Sequence, residues 1–273
     1  MDFIELLKVI IIGIIQGITE WLPVSSTGHM ILAESLLQPN LAPQFWSVFL
    51  VVIQFGSILA VVFLFWDKIF PFEFRRGIKV DNDKFQLWMK IAVACLPAAV
   101  IGVLWGDQID DLFFNPTTVA ITLIAYGILF IIIEVQNKHH RPRINDLNQI
   151  TYKFALLIGL FQLLALIPGT SRSGATIIGG LLLGASRYIA SEFTFFLAIP
   201  VMFGASILRI AQVGLNFDTA EWIYLGAGTL VAFVVSIVAI KFLLNYIKRN
   251  NFIPFGWYRI ILGLVVIGYF WWL

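Results

Sequence analysis

Charged residues are scarce in this sequence. They make up 12% of its 273 residues, whereas 60% are hydrophobic and the mean hydropathy is +0.91. Soluble domains carry roughly a quarter charged residues, so this shortage excludes an ordinary soluble protein. The formal net charge is only +2, and nucleic acid is not expected as a partner. The apolar residues stand in long runs, and about 18 or more in a row can cross hydrocarbon as a helix.

Cysteine is almost absent as well. Cys95 is the only one, which excludes an intramolecular disulfide and a thiol cluster for a metal. The sequence shows no arginine-rich transit peptide, and its N-terminal apolar stretch lacks a small-residue cleavage site. This stretch carries polar groups that look functional, so we expect it to belong to the mature protein.

The long apolar runs predict an all-α polytopic membrane protein with six full transmembrane helices. Two further apolar regions, 3–37 and 152–188, are interrupted by polar segments with glycine and proline at 20–29 and 168–174. Irregular backbone at membrane depth is tolerated only where protein or a water-filled cavity surrounds it. We therefore predict two re-entrant helix–loop–helix hairpins. The six predicted spans are about 44–66, 86–105, 116–136, 191–213, 221–246 and 254–273.

The two interruptions are copies of one another. At a constant offset of 146 residues, four positions of the first recur in the second: Gly13, Gln16, Ser25 and Gly28 match Gly159, Gln162, Ser171 and Gly174. This gapless set predicts a duplication within a single membrane domain 1–273, with repeats of about 1–136 and 150–273. One hairpin and three spans per repeat give an odd number of crossings, so the repeats are inverted. Such repeats place a site near the bilayer midplane.

Lysine and arginine collect on one predicted face, which is expected to be cytoplasmic. The opposite face has an acidic loop at 106–114, a second loop around Asp218 and both termini, with Lys8 as its one cation. Both termini are then extracytoplasmic, and the first hairpin enters from outside, so the site should open to the outer face. The basic face is predicted to carry Lys68, Arg75, Arg76, Lys79, Lys84, Lys138, Arg141, Arg143, Arg187, Lys248 and Arg249, with His139 and His140 beside them.

The first interruption holds candidate catalytic groups. Gln16 and Glu20 are four residues apart and share a helix face. An ionisable side chain at this depth costs about 2.5 kcal/mol or more and is functional by default. His29 is a candidate acid, base or direct nucleophile, and Ser26 is an alternative nucleophile with His29 as its base. Glu20, with Gln16 behind it, could instead hold Mg²⁺ or Ca²⁺ through oxygen ligands.

The second interruption has the character of an anion site. Arg172 lies in a Gly-Thr-Ser-Arg-Ser-Gly run before an apolar helix. Backbone N–H groups converge among small residues, the helix adds its positive end, and arginine offers a fork for phosphate oxygens. Further hydroxyls come from Ser171, Ser173 and Thr176. Simpler interpretations are that Glu20 pairs with Arg172 to hold the hairpins together, or that Arg172 snorkels from a helix N-cap.

These residues resemble the signatures of the bacterial undecaprenyl-diphosphate phosphatases, the bacitracin-resistance family. The first signature, Gln/Glu-x-x-x-Glu followed by Leu-Pro-Val-Ser-Ser-Thr-Gly-His, is present from Gln16 to His29. The second, Pro-Gly-x-Ser-Arg-Ser-x-x-Thr, is present from Pro168 to Thr176. The resemblance covers essentially the whole chain, because the span count and motif spacing also agree. Gln16 in the first carboxylate position weakens any mechanism that needs two carboxylates on one metal.

The resemblance implies hydrolysis of undecaprenyl diphosphate to the monophosphate and inorganic phosphate in the bacterial plasma membrane. This reaction recycles the lipid carrier for peptidoglycan synthesis and confers resistance to bacitracin. The implied catalytic set is Glu20, Ser26, His29 and Arg172, with a divalent cation, Mg²⁺ or Ca²⁺, assisting. The diphosphate would bind along both loops, at Ser25, Thr27, Gly28, Gly169, Thr170, Ser171, Ser173, Gly174 and Thr176.

Two other activities compete with hydrolysis. A polyprenyl-phosphate flippase or anion-binding secondary transporter is the stronger alternative, because inverted repeats with broken helices are a transporter architecture. A carrier, however, does not need the nucleophile and base of the Ser-Ser-Thr-Gly-His run. A phosphatidic-acid-phosphatase type of enzyme needs a second histidine after its Ser-Arg, and none follows Arg172. The sequence leaves the oligomeric state open, with a homodimer as one alternative.

Overall fold

Long helices dominate the computed structural model, which describes residues 1–73, 79–138 and 141–272. Arg75, Arg76, His139 and His140 lie outside the described residues. In chain order the helices are α1 (Phe3–Thr19), α2 (Ser26–Leu37), α3 (Pro43–Leu64), α4 (Trp66–Ile69), α5 (Asn82–Phe113), α6 (Pro116–Asn137), α7 (Tyr152–Leu163), α8 (Arg172–Leu182), α9 (Arg187–Val213), α10 (Thr219–Ile247) and α11 (Ile253–Trp272). Short 3₁₀ turns lie at Leu147–Gln149 and Leu164–Leu166, and Phe72–Glu73 (β1) pairs antiparallel with Lys79–Val80 (β2).

Six of the helices in the described residues are long and apolar enough to cross a membrane. They are α3, α5, α6, α9, α10 and α11, and they match the six predicted spans. The chain is therefore an all-α, multi-pass membrane protein, as its hydropathy predicts. Three boundaries differ by four residues or more. The predicted acidic loop at 106–114 is wrong, because α5 continues to Phe113. α5 also begins at Asn82 rather than at about 86, and α9 begins at Arg187 rather than at about 191.

Both polar interruptions break a helix. Residues 20–25 separate α1 from α2, and residues 164–171 separate α7 from α8. The breaks are shorter than the polar segments suggest. Ser26 to His29 form the first turn of α2, and Arg172 to Gly174 form the first turn of α8. Apart from Glu20, which is the C-cap of α1, the polar side chains of these segments therefore lie at helix N-termini, where the backbone N–H groups are unpaired and the dipole is positive.

Glycine lets the helices approach one another closely. A Cβ atom on either Gly127 (α6) or Gly256 (α11) would lie 2.7 Å from the carbonyl oxygen of the other. α1 meets the backbone of α10 in the same way at Gly13, with 2.7 Å, and α7 meets α5 at Gly159, with 2.5 Å. Such close backbone contacts are typical of helix interfaces in membranes. Gly13 and Gly159 are equivalent positions of the two interrupted regions, so each first helix docks on a long helix at the same point.

Fully buried side chains surround the two breaks. Trp21, which follows α1, packs edge-on against Phe195 of α9, with ring centroids 5.2 Å apart at 87°. Both rings are 0% exposed and belong to the largest apolar cluster, together with Phe130 and Ile177. Close packing around the breaks holds their irregular backbone in one conformation, which is what a precise site requires.

Candidate active site

A serine caps the helix after each break, in the same unusual conformation. Ser25 has φ 71° and Ser171 has φ 73°, a region that non-glycine residues rarely adopt. Each side-chain oxygen accepts the N–H group three residues ahead, from Gly28 at 3.4 Å and from Gly174 at 3.1 Å. Backbone strain of this kind costs about 1–3 kcal/mol and persists where the surroundings enforce it, often at functional sites. The two breaks are thus built alike.

Glu20 is the centre at which the two breaks meet. Its Oε2 atom accepts from Gln16 Nε2 at 3.0 Å and from Ser26 Oγ at 3.2 Å, and its Oε1 atom accepts from Arg172 Nη2 at 3.1 Å. The side chains of Glu20 and Arg172 are only 8% and 12% exposed. Removing one partner of a buried ion pair leaves an uncompensated charge, typically at a cost of about 3–5 kcal/mol. The pair therefore ties the second break to the first.

Hydroxyl and carbonyl groups hold Arg172 and its turn in place. Arg172 Nη1 donates to the Thr194 carbonyl at 3.0 Å, and its guanidinium lies 6.0 Å from the centre of the Trp21 ring. The Thr194 hydroxyl donates to Thr176 at 2.8 Å, and Thr176 donates to the Arg172 carbonyl at 2.9 Å. Arg172 Nε is buried without a partner in the described residues. A buried unpaired donor on an arginine suggests a ligand that completes it.

Ser173 links the two breaks by a second route. Its hydroxyl donates to the backbone carbonyl of Glu20 at 3.2 Å and lies 3.2 Å from the hydroxyl oxygen of Ser171. Ser173 is buried, whereas Ser171 is half-buried. The remaining predicted ligand of the first break, Thr27, is also half-buried and lies in the first turn of α2. Several hydroxyl groups therefore lie around the carboxylate and guanidinium, as donors for an anion.

His29 faces away from Ser26 in this arrangement. Its Nδ1 lies 2.7 Å from the Ser25 carbonyl oxygen, and its Nε2 lies 2.7 Å from the Tyr258 hydroxyl. A carbonyl only accepts, so Nδ1 carries the proton and a neutral His29 accepts at Nε2. No hydrogen bond joins His29 to Ser26 in the described residues, and Ser26 donates to Glu20 instead. The predicted use of His29 as the base for Ser26 stays a prediction.

Arg259 is a site residue that the sequence reasoning missed. It lies on α11, is 0% exposed, and donates to carbonyls of both breaks. Nη1 donates to Pro23 at 3.3 Å, and Nη2 donates to Gly169 and Thr170 at 2.9 Å each. Its guanidinium also lies 5.6 Å from the centre of the Tyr126 ring. Arg259 could have been identified as a lone arginine within an apolar span, because an ionisable residue at membrane depth is functional by default, as was argued for Glu20.

These contacts bear on two predicted diphosphate ligands. The carbonyl groups of Gly169 and Thr170 are engaged by Arg259, and the Thr170 N–H donates to Ile167 at 3.3 Å. The backbone of this turn is therefore already held within the protein. Their role as direct ligands stays a prediction, and a supporting role for the turn is what these hydrogen bonds show.

Comparison with known proteins identifies the family. A family model described as "Bacitracin resistance protein BacA" matches residues 9–265. The chain belongs to the BacA family. A relative from Lachnoclostridium phytofermentans, named undecaprenyl-diphosphatase, is 60% identical over 270 residues, which cover 99% of this chain and 98% of the relative. Relatives from Clostridioides difficile (undecaprenyl-diphosphatase 1) and Enterococcus faecalis (undecaprenyl-diphosphatase) are 58% and 54% identical, covering 98% of this chain and 97% and 98% of themselves.

The BacA-family site offers a limited donor set for a divalent cation. Mg²⁺ is usually held by one or two carboxylates together with substrate phosphates and waters. Here Glu20 supplies one carboxylate, and Gln16 directs its amide N–H at that carboxylate, which leaves the carbonyl oxygen of Gln16 for a cation. No group of three or more His, Cys, Asp or Glu suited to a metal occurs in the described residues. The set fits a cation that is shared with the substrate rather than one caged by protein.

Proposed function

We propose that this chain hydrolyses undecaprenyl diphosphate to undecaprenyl phosphate and inorganic phosphate. It is a phosphatase of the BacA family, which is associated with bacitracin resistance. The product, undecaprenyl phosphate, re-enters peptidoglycan synthesis as the lipid carrier. The observation that carries the proposal is the ion pair of Glu20 and Arg172 with Ser26 bonded to the same carboxylate. A nucleophile, a proton acceptor and a phosphate-binding cation thus lie within one buried cluster.

The architecture we propose is an inverted repeat with two re-entrant hairpins, α1–α2 and α7–α8. Three matched features support it. Gly13 and Gly159 dock the first helix of each hairpin on a long helix, Ser25 and Ser171 cap the second helix with positive φ, and one side chain of each break reaches the other break. Hairpins entering from opposite faces would bring Glu20 and Arg172 together near the midplane, with the apolar helices accepting the polyprenyl tail.

In the proposed reaction Ser26 is the nucleophile. Its Oγ transfers its proton to Glu20 Oε2, 3.2 Å away, and attacks the terminal phosphorus. The bond from that phosphorus to the bridging oxygen breaks, which releases undecaprenyl phosphate and leaves a phosphoserine. Water then hydrolyses the phosphoserine to free phosphate and restores the hydroxyl. His29 is the alternative nucleophile, but its Nε2 would first have to leave the Tyr258 hydroxyl.

Arg172 and the surrounding hydroxyls bind the diphosphate in this proposal. The unpartnered Nε of Arg172 and the hydroxyls of Thr27 and Ser171 are the donors, and Ser173 joins them when its hydroxyl leaves the Glu20 carbonyl. The positive ends of α2 and α8 add to the field. Phosphoryl transfer depends mainly on positioning and on compensating charge. A divalent cation held by Glu20, Gln16 and the substrate would add to that compensation.

The basic face is proposed to be cytoplasmic, with both termini and the entrance to the site on the outer face. The positive-inside rule supports this orientation. Labelling of single cysteines placed near Asp2 and at Lys153 in a Cys95→Ser background, from outside intact cells, tests it. Outside labelling at the N-terminal position alone is expected. The molar mass of the purified protein in detergent, measured by light scattering, decides between a monomer and a homodimer.

The decisive experiment measures phosphate release from undecaprenyl diphosphate by the purified protein, with Mg²⁺, Ca²⁺ or a chelator. Glu20→Gln, Ser26→Ala and Arg172→Lys are expected to lose at least about 100-fold, since each removes transition-state stabilisation or proton transfer. Glu34→Gln and Arg209→Lys are matched controls at exposed and half-exposed positions and should keep parental activity. No release by a folded parent under any metal condition would leave the flippase or transporter as the function to test.

A trapping experiment separates the two nucleophiles. Substrate labelled in its terminal phosphate is mixed with enzyme and quenched, and the labelled protein is then exposed to acid or to base. Phosphoserine survives acid, whereas phosphohistidine is lost in acid and survives base. Acid-stable label that disappears in Ser26→Ala is the expected result. Acid-labile label that disappears in His29→Asn would instead assign the attack to His29.

A further inference from the structure

A cleft lined by cations opens where four helices end. It lies between the ends of α6, α8 and α10 and the start of α9, beside the chain segment at residues 141–142, and has a volume of about 260 Å³. We call it the basic cleft. Among its lining residues, those used below are Arg141, Arg187, Lys248, Glu134, Leu181 and Ile247.

The charges in the basic cleft do not cancel. Arg187 Nε donates to Glu134 Oε1 at 2.8 Å, and the same carboxylate oxygen accepts the Phe252 N–H at 3.0 Å. The Glu134 side chain is 1% exposed, and its charge is compensated by Arg187 and the Phe252 N–H group. In the described part of the chain, Arg141 and Lys248 form no ion pair, and Arg187 Nη1 has no hydrogen-bond partner. Two uncompensated cations and one free guanidinium N–H group therefore face the cleft.

The basic cleft lies at the level where helices leave the apolar layer. α10 ends at Ile247, and Lys248 is its C-cap. A second cavity of about 540 Å³ shares Lys248 and is lined by Phe242 and Tyr246 of α10 together with the polar residues Asn245, Arg249 and Asn250. Phe242 is 54% exposed, as expected of a side chain that faces acyl chains. Lys248 thus stands between the basic cleft and the exposed apolar ring of Phe242, as a lysine between a phospholipid head group and its tail would.

We propose that the basic cleft binds the phosphate group of an anionic phospholipid, with one acyl chain along Phe242 and Tyr246. Arg141, Lys248 and Arg187 Nη1 donate to the phosphate oxygens. Basic clefts between transmembrane helices recognise anionic head groups in this way. A zwitterionic lipid binds more weakly, because its own cation would enter a cleft that already holds uncompensated positive charge.

The proposed lipid site is separate from the site of hydrolysis but shares a helix with it. α8 begins at Arg172 and reaches the basic cleft at Leu181. At 1.5 Å per residue the two points are about 14 Å apart along the helix. α9 is shared as well, since Arg187 lies at its start and Thr194, which holds Arg172, lies two turns further on. The bound lipid would therefore brace the two helices that position Arg172.

Native mass spectrometry of the delipidated full chain tests the proposal. Phosphatidylglycerol and phosphatidylcholine with identical acyl chains are titrated separately, and the parent should bind phosphatidylglycerol more tightly. The Arg141→Gln/Lys248→Gln variant should lose about 30-fold in phosphatidylglycerol affinity, at about fivefold for each cation removed. Its affinity for phosphatidylcholine should change much less, because lost phosphate contacts and relieved repulsion of the choline cation offset one another. Arg187 is left intact, because its loss would strand buried Glu134.

Matched controls make the outcome decisive. Lys79→Gln/Lys153→Gln removes two exposed cations outside the cleft and should keep parental phosphatidylglycerol affinity. An equal loss in this control, or equal binding of the two lipids by the parent, would overturn the proposal. Inorganic phosphate at the lipid concentration should not displace phosphatidylglycerol, and displacement would assign the cleft to free phosphate instead. Phosphate release by both double variants should stay at the parental rate when lipid is saturating, which shows that the fold is intact.

Discussion

Replacing Arg259 by methionine should loosen both breaks at once. The guanidinium donates three hydrogen bonds to buried carbonyls, and hydrogen bonds that involve a charged group contribute about 1.5–3 kcal/mol each. Methionine fills most of the volume and avoids burying a charge, which offsets part of that loss. A net cost of about 3 kcal/mol remains, because three carbonyls lose their donor. At about 2–4 °C per kcal/mol, Tm should fall by roughly 6–12 °C.

The assay is thermal unfolding of the detergent-solubilised protein together with phosphate release measured well below Tm. Activity at that temperature should fall at least about tenfold, because a site displaced by even 1 Å loses about 100-fold. Arg259→Lys keeps the charge but cannot span carbonyls from two breaks, so it should recover only part of Tm. Arg209→Met, at a half-exposed arginine of α9, is the control. A parental Tm and activity in Arg259→Met would refute the idea that Arg259 positions the site.

Three further outcomes follow from contacts in or beside the breaks. Tyr258→Phe frees His29 Nε2, and phosphate release should stay parental because Ser26 and Glu20 carry the attack; a changed rate would bring His29 into the reaction. Ser171→Ala should lower stability by about 1 kcal/mol by removing a helix cap, whereas Ser171→Gly should cost only a few tenths because it also relieves positive φ; the reverse order in chemical unfolding would contradict the strain. Gly169→Ala should fail to fold, since its φ is 83° and a Cβ would collide with α6, whereas Gly106→Ala meets nothing within 4 Å and should yield monodisperse protein. Equal yields of the two would argue against the tight turn.

Hydropathy was sufficient to predict the six spans because a helix needs little more than sufficient length and apolar side chains to cross a bilayer. α3, α6 and α10 lie close to their predicted bounds for this reason. The predicted C-terminal bound of α5 was wrong, because the three aspartates near that end were interpreted as part of a loop. Hydropathy indicates where the apolar layer ends, but α5 continues past that layer to Phe113. The end of the helix is determined by backbone hydrogen bonding rather than by hydropathy.

The site was partly predictable because burying charge is costly. Glu20 and Arg172 stood out as ionisable residues in apolar surroundings, and they meet as an ion pair. Arg259 obeys the same rule and was passed over because no motif surrounds it. Tyr258 gave no signal, since tyrosine is ordinary near membrane interfaces and its partner His29 is 229 residues away in the chain. Contacts of that range depend on the packing of α2 against α11, which no local pattern encodes.

Arg259 is synthesised after both of the breaks that it joins. α11 is synthesised after α1 to α10, and it packs against α6. More than a hundred residues are synthesised between the end of α6 and the start of α11. Until α11 leaves the ribosome, both breaks lack the donor that joins the Pro23, Gly169 and Thr170 carbonyls. A nascent chain stalled before Arg259 would hold Glu20, Ser26 and Arg172 but not the three hydrogen bonds that tie their breaks together. A chain without α11 therefore lacks the side chain that joins the two breaks.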